Sequence, residues 1–438
     1  MSELDAEELA ARLSDRTPAG IAEQIGHLIE HKLLPVDSRL PTVRDLAQEL
    51  GVSVGTIAQA WSLLREQGLV ETRRRGGTRV LPRARRRAED FTGPGSALKK
   101  LGFLTIGLFD PAEPAAGHES TLRIIELGEQ LGFDSAWLRH RHLQFGISSP
   151  VAVMAAASQR TSRIELGTAV TPLSWENPLR LAEDLATVDV LSGGRINPGF
   201  SVGAPMHFDT VREALYPHTA EAEDFSHSRA ERLAGFIAGE PVRELSGKDG
   251  VVEEFSNRVE PHSPGLRQRL WYGAGSLRSA QWAGQAGLNL LSSSVLFPDD
   301  DAGDSPDFAE VQAQQIRAFR AAHPDGGRAR ASQGLVVIPT DSASREQEAK
   351  YRAYVQERTP RTGEPQQAGA KRMMFAPDVI GTSDEIADAL LAHAGYLEVD
   401  EVAFALPFSF AEEDYVQILT DIAARLGPAL GWRPRSNR

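Results

Sequence analysis

The sequence predicts an α/β chain: a TIM (β/α)8 barrel preceded by a small N-terminal winged helix-turn-helix domain. Three observations predict it. Ile164 to Gly203 reads as strand, loop, helix, strand, and a crossover of this length joins parallel strands with right-handed sense. Strand-like stretches separated by helical periodicities fill most of the chain beyond Leu101. Charge is also divided. Lys and Arg outnumber Asp and Glu by 13 to 7 between Arg16 and Arg87, whereas from Ala88 to Arg438 they are outnumbered 33 to 48. A basic module on an acidic body implies that one part of the chain faces a polyanion.

The chain of 438 residues, with a formal net charge of −13, is long enough for two domains with cores of normal size. It has no cysteine, which excludes disulfides, thiolate nucleophiles and cysteine-ligated zinc. The N-terminus is acidic and amphipathic, and no stretch approaches the roughly 20 apolar residues of a membrane span. A cytoplasmic protein that does not enter membranes is expected.

In the N-terminal module, Ile21, Ile25, Leu28 and Ile29 mark one face of a helix over Pro18 to His31. Thr42 caps a second helix with Val43, Leu46 and Leu50 inward, and Gly51 closes it. Ser53 starts a third helix, whose inward face carries Ile57, Trp61 and Leu64. Two short helices across a tight Gly turn make a helix-turn-helix. Leu69–Thr72 and Thr78–Leu81 then flank a basic hairpin tip. The run LPTVRDLAQELGVSVGTIAQAWSLLREQGLVETRRRGGTRV resembles the GntR-type bacterial regulators. The resemblance implies duplex DNA as partner. Arg44 would contact phosphate; the recognition helix, from Ser53, Val54, Gly55 and Thr56 to Gln59, would enter the major groove; the wing, Arg74, Arg75, Gly76 and Gly77, would reach the minor groove. Many relatives carry Arg in the recognition helix where this chain has Val54 and Ala58, so base readout leans on Thr56, Gln59 or the wing. The expected division is residues 14–82 for this domain, 83–98 for a basic, Gly- and Pro-containing linker, and 99–438 for the barrel.

Eight strands are expected in the barrel: LGFLTIGLF from Leu101, then Ser135–His140, Ile164–Val170, Ile196–Val202, Leu270–Gly275, Asn289–Ser294, Ser332–Pro339 and Glu401–Pro407. Helices are expected over Thr121–Leu131, Pro150–Gln159, Arg278–Ala286, Phe308–Ala321 and Asp384–Ala394. A further one begins near Asn177-Pro178, with Leu181, Leu185, Val188 and Leu191 buried. Chemistry in such a barrel belongs at the C-terminal strand ends.

ELGTAV followed by NPLRLAEDLATVDVLSGGR resembles the bacterial-luciferase-like flavin monooxygenases. The resemblance spans about Leu101 to Leu430 and implies a barrel of luciferase-like type. His140 falls on a His that assists flavin chemistry in that family, although Arg139 and Arg141 replace the neighbouring Glu and His. Thr168 and Ala169 fall where the family rests the isoalloxazine ring, often beside a cis peptide. Gly273 and Gly275 let backbone approach a ligand, and Ser276, Ser279 and the following helix N-terminus offer donors to a phosphate. In the family context Gly275, Ser276, Arg278 and Ser279 are the cofactor candidates. The third Gly of a dinucleotide fingerprint is absent. His140-x-His142 supplies two metal ligands with no third in view, so no metal is expected.

These observations predict a DNA-binding transcription regulator whose barrel binds a flavin, FMN with a deazaflavin as alternative, and either senses it or acts as a monooxygenase. The rival is a flavin-dependent oxidoreductase with an auxiliary DNA-binding domain. A small-molecule substrate or effector, a separate flavin reductase and a homodimer are expected partners. The dimer would form on the Ala-rich helix at Pro150 and its neighbour.

Overall fold

The computed structural model describes residues 6–434 except 31–32, 36–37, 67–68, 74–76, 81–97, 206, 245–246, 250–251, 300–302, 304, 363 and 369–370. The N-terminal module contains helices Ala6–Ala10, Pro18–Glu30, Val43–Leu50 and Val54–Glu66, and the antiparallel strands Val70–Arg73 and Gly77–Val80. Its central turn is dictated locally. Thr42 accepts the N–H of Asp45, and Gly51, at φ 66°, takes the left-handed conformation that caps the carbonyls of Ala47 and Gln48. Ile21, Ile25, Leu46, Leu50, Ile57, Trp61 and Leu64 form one core, which Leu9 and Leu13 join from upstream. The N–H groups of Leu40 and Val80 bond the carbonyls of Thr78 and Ser38, so residues 38–40 extend the wing sheet.

The barrel strands are β1 Lys100–Thr105, β2 Ser135–Leu138, β3 Glu165–Thr168, β4 Ile196–Asn197 with Gly199–Ser201, β5 Trp271–Ala274, β6 Asn289–Ser292, β7 Ala331–Gln333 and β8 Glu401–Ala405. Every neighbouring pair is parallel, and β8 returns to β1. After the cis peptide Ala169–Val170, the chain of β3 resumes as Thr171–Pro172. The first half of β4 pairs with β3; its second half pairs with Thr171–Pro172 and with β5, which closes the ring.

The lumen is filled rather than open. Trp137 and Trp271 meet edge to face with centroids 5.4 Å apart, beside Leu291 and Ala403. Gly167 makes the space: a Cβ there would lie 2.4 Å from the Trp137 ring. At the N-terminal end of the strands, Glu165 bonds Lys100 and Asn197, and Arg330 bonds Glu401. Ala169 and Val170 pack on the tryptophan layer, so the floor of the mouth is apolar.

Two expectations are corrected. The seventh strand keeps to the ring only as far as Val336, which bridges Ala405, and Val337–Pro339 pairs instead with Val379–Gly381. Leu335 to Ile338 are all buried, and an unbroken apolar run has no period to mark where one strand stops. In the helix Pro178–Ser192, Leu181, Leu185 and Val188 are buried, but Leu191 is 59% exposed. The buried stripe advances by four residues from Val188 to Ser192, which leaves Leu191 beside exposed Val190. Among the described residues no helix is long and apolar enough to cross a membrane.

Candidate functional site

The chain leaving β2 is anchored on both sides: Arg139 donates its N–H to Thr105, and the Leu138 carbonyl accepts the N–H of Ala169. His140 therefore sits at the strand-end ring, beside the β3 terminus. It is 7% exposed, and its Nε2 lies 2.8 Å from the Ser148 carbonyl. A carbonyl only accepts, so Nε2 carries the proton and Nδ1 presents a lone pair. That Nδ1 is buried without a partner. Burial, and then the nearness of His142, pull the His140 pKa down to about 4 against the Ser148 bond.

His142 follows at a ring distance of 4.3 Å and stacks on Trp175 at 4.0 Å and 8°. Its Nε2 is likewise buried and unpartnered, and burial lowers its pKa. The next residue after Trp175 is Glu176, whose carboxyl is pushed up to about 7 by burial and then by Asp184. One donor atom from each of His140, His142 and Glu176 lies within 4.8 Å of the others. A third group of metal-ligating type, absent from the sequence pattern, thus stands beside the two imidazoles from a residue 34 positions downstream of His142. Sequence spacing does not reveal it because the turn Leu173–Trp175 brings it back.

Arg139 points elsewhere. Its guanidinium lies 5.3 Å from the Phe408 ring, and burial, with Arg141 and Arg358 nearby, lowers its pKa to about 10.

The other predicted end lies at β5. Ser276 begins the helix Leu277–Gln285 with a capping box: Ser276 Oγ accepts the Ser279 N–H, and Ser279 Oγ accepts the Ser276 N–H. Both hydroxyls are thereby engaged in the helix start. Arg278 is exposed on the first turn. The Gly275 carbonyl accepts the Phe297 N–H, and a Cβ on Gly275 would meet the Phe297 ring at 3.0 Å. Thr168 is committed too: its hydroxyl donates to the Gly199 carbonyl at 2.7 Å and accepts the Gly199 N–H at 2.9 Å. Ala169 is left half-buried. The two ends touch, since a Cβ on Gly273 would lie 2.7 Å from Val170 Cγ1. Sequence reasoning missed His227, which stacks on Trp282 at 4.0 Å and has Nε2 3.1 Å from Tyr272 Oη. Burial depresses its pKa against the pull of Glu231, and Arg278 adds a smaller push in the same direction as burial.

On the N-terminal module Arg44, Ser53, Val54, Gly55 and Gln59 are exposed and Thr56 is half-buried. Ser53 caps the recognition helix through the Thr56 N–H, with the two hydroxyls 2.9 Å apart. Gly77, at φ 73°, has the Arg39 guanidinium against it, which adds a cation that the sequence pattern does not single out. Arg74, Arg75 and Gly76 lie outside the described residues.

A closed parallel barrel with an apolar floor and titratable strand ends, on a chain that also carries a winged helix-turn-helix, defines a two-part protein whose larger part is a TIM barrel. The model of the luciferase-like monooxygenase family matches residues 101–401, and the chain belongs to that family. The model of the gntR family of bacterial regulatory proteins matches residues 17–80. The alkanal monooxygenase alpha chain of Photobacterium leiognathi is 28% identical over 213 residues, 47% of this chain and 58% of that one. The chain thus spans little more than half of that relative. The oxygenating constituent of 3,6-diketocamphane monooxygenase from Pseudomonas putida, solved in complex with FMN, aligns with TM-score 0.53 at 13% identity over 77% of this chain and all of that one. An F420-dependent secondary alcohol dehydrogenase aligns with TM-score 0.51 at 13% identity over 76% and 99%. These likenesses show the fold.

Proposed function

We propose that this protein is a cytoplasmic, DNA-binding transcription regulator whose barrel takes flavin mononucleotide and couples its presence to operator binding. The observation that carries it is the contact between the two ends of the mouth. Val170, next to the ring position at Ala169, packs on Gly273, two residues before Gly275. This suits a ligand with a planar ring and a phosphate. The N-terminus of Leu277–Gln285 and exposed Arg278 would hold the phosphate; Ala169, above the tryptophan floor, would meet the ring. The Ser276 and Ser279 hydroxyls shape that helix start. A bound flavin would supply oxidation chemistry with dioxygen, its electrons coming from a separate reductase. In the chain itself, His140 is the residue assigned to proton exchange at the ring, and the packed lumen keeps water out from below. That role favours a second reading, a flavin-dependent monooxygenase with an auxiliary DNA-binding domain acting on a small-molecule substrate.

Residues 14–82 and 99–438 would act as separate domains. Exposed Ala152 and Ala156, with Val190 and Leu191 on the adjoining helix, would make the barrel homodimer that a two-fold operator requires.

The test is titration of the full chain with FMN, riboflavin and a deazaflavin, followed by absorption, and of labelled duplex DNA at rising salt. Arg278→Ala should weaken FMN about tenfold and leave riboflavin unchanged. Arg44→Ala should weaken all duplexes about equally. Operator and FMN must alter each other's affinity by one common factor. Tight deazaflavin binding without FMN binding would replace the cofactor; independence of the two affinities would leave the monooxygenase reading. If no flavin binds, the barrel reading fails.

A further inference from the structure

We propose that His140, His142 and Glu176 form a binding site for a divalent first-row transition metal ion at the mouth of the barrel. Three observations converge on it. One donor atom from each side chain lies within 4.8 Å of the other two. Two of those side chains are imidazoles that each keep a buried nitrogen without a partner, His140 Nδ1 and His142 Nε2. Buried polar atoms are nearly always satisfied, so two orphans in one cluster mark a place where something that accepts electron pairs belongs. The third observation is the outer support. The Ser148 carbonyl, 2.8 Å from His140 Nε2, holds that nitrogen as the proton carrier and turns the Nδ1 lone pair inward, which is the arrangement metal-binding imidazoles share. Trp175 fixes the ring plane of His142 by stacking on it at 8°.

Chemistry narrows the ligand. Two neutral imidazoles and a carboxylate make a mixed nitrogen and oxygen set, the set of zinc and non-haem iron(II) sites that keep open positions for water or substrate. It does not suit calcium or magnesium, which prefer all-oxygen shells. Bonds of about 2.1 Å in tetrahedral geometry would bring the donors to roughly 3.4 Å from one another. Glu176 has more rotatable bonds than either imidazole, so its carboxylate can move toward the two nitrogens. Burial and the neighbouring Asp184 carboxylate both disfavour the charged form of Glu176, and a cation would offset both.

The site does not depend on flavin binding. At His140 Nδ1, metal coordination and proton exchange with a flavin exclude each other, so the metal-loaded and metal-free proteins would differ in the use of that one nitrogen.

The experiment is titration of chelator-stripped full-length protein with cobalt(II), followed by its visible d–d absorption, with zinc(II) as competitor and metal content measured after gel filtration. The expected result is one equivalent bound per chain, with the intense spectrum of a four- or five-coordinate site. His142→Ala and Glu176→Gln should each weaken binding at least tenfold, and His207→Ala, which removes an exposed imidazole elsewhere, should leave it unchanged. Zinc should raise the melting temperature of the wild type and not that of Glu176→Gln. This last comparison stands even if His142→Ala folds poorly, because Gln keeps the shape of Glu. No stoichiometric binding, or binding that all four proteins share, would overturn the proposal, as would a purely octahedral hexaaqua-like spectrum.

Discussion

The two ends of the barrel mouth treat their polar groups in opposite ways. Around β5, the hydroxyls of Ser276 and Ser279 answer each other's N–H groups. Thr168, at the end of β3, likewise has its hydroxyl fully engaged with Gly199. Beyond β2, His140 and His142 each bury a nitrogen that nothing meets. Satisfied groups hold the scaffold, and their removal exposes backbone partners to an apolar interior. Unsatisfied groups already carry a desolvation penalty in the folded chain, so their removal should cost little when no ligand is present. The difference separates residues that build the mouth from residues that use it.

Substitutions should follow that contrast. Thr168→Val, nearly the same shape, strands both the N–H and the carbonyl of Gly199 and should cost about 2 kcal/mol in urea unfolding of the barrel. A cost near zero would mean that water replaces the hydroxyl and that β4 is less enclosed than its burial implies.

Glu129 is a satisfied carboxylate on the opposite side of the barrel, accepting the N–H groups of Ser162, Arg163 and Ile164 at the entry to β3. Burial pushes its carboxyl up, but those N–H groups outweigh burial and hold it below the ordinary value. A carboxyl lowered in the folded state stabilises above its unfolded pKa, and loses that contribution as pH falls through the folded one. Glu129→Gln should therefore cost about 1 kcal/mol at pH 7, and the gap to the wild type should narrow as pH falls below about 4.5. A gap that stays constant with pH would show that shape, not charge, matters there.

Ser276→Ala removes the cap of Leu277–Gln285 and should cost a similar amount or slightly less, about 1 kcal/mol. Ser276→Asp, which can cap, should restore the stability while repelling a phosphate. The smallest effect is expected for His142→Leu. Measured with a chelator present, it should change stability by no more than about 0.5 kcal/mol, because the apolar side chain keeps contact with Trp175 and removes an orphaned nitrogen. A loss of 2 kcal/mol or more would place His142 among the scaffold residues and end the contrast.

Much of this was legible in residues alone. The cap at Thr42, the left-handed Gly51, the Asn177-Pro178 helix start and the strand and helix sequence of the barrel depend on neighbours within a few positions, and the structure has them where the residues imply. Leu191 and the seventh strand were harder. A periodic stripe leaves its last residue ambiguous, and the run Leu335 to Ile338 is apolar throughout. The hydroxyls of Ser276 and Thr168 could be named as polar groups near a strand end. Whether a ligand or the fold consumes them depends on partners that the chain supplies elsewhere.

By itself the sequence determined the two-part organisation, the charge division between the parts, the helix-turn-helix with its wing, the order of barrel elements and the strand ends where chemistry belongs. Each of these follows from local propensity, periodicity or composition. Only the tertiary structure decided that Trp137 and Trp271 fill the lumen against Gly167, that Arg39 lies on the wing at Gly77, and that Glu176 returns to meet His140 and His142. The physical reason is the same in each case. A side chain's role is set by the groups that surround it after burial, and in a closed barrel those groups come from strands far apart in the chain.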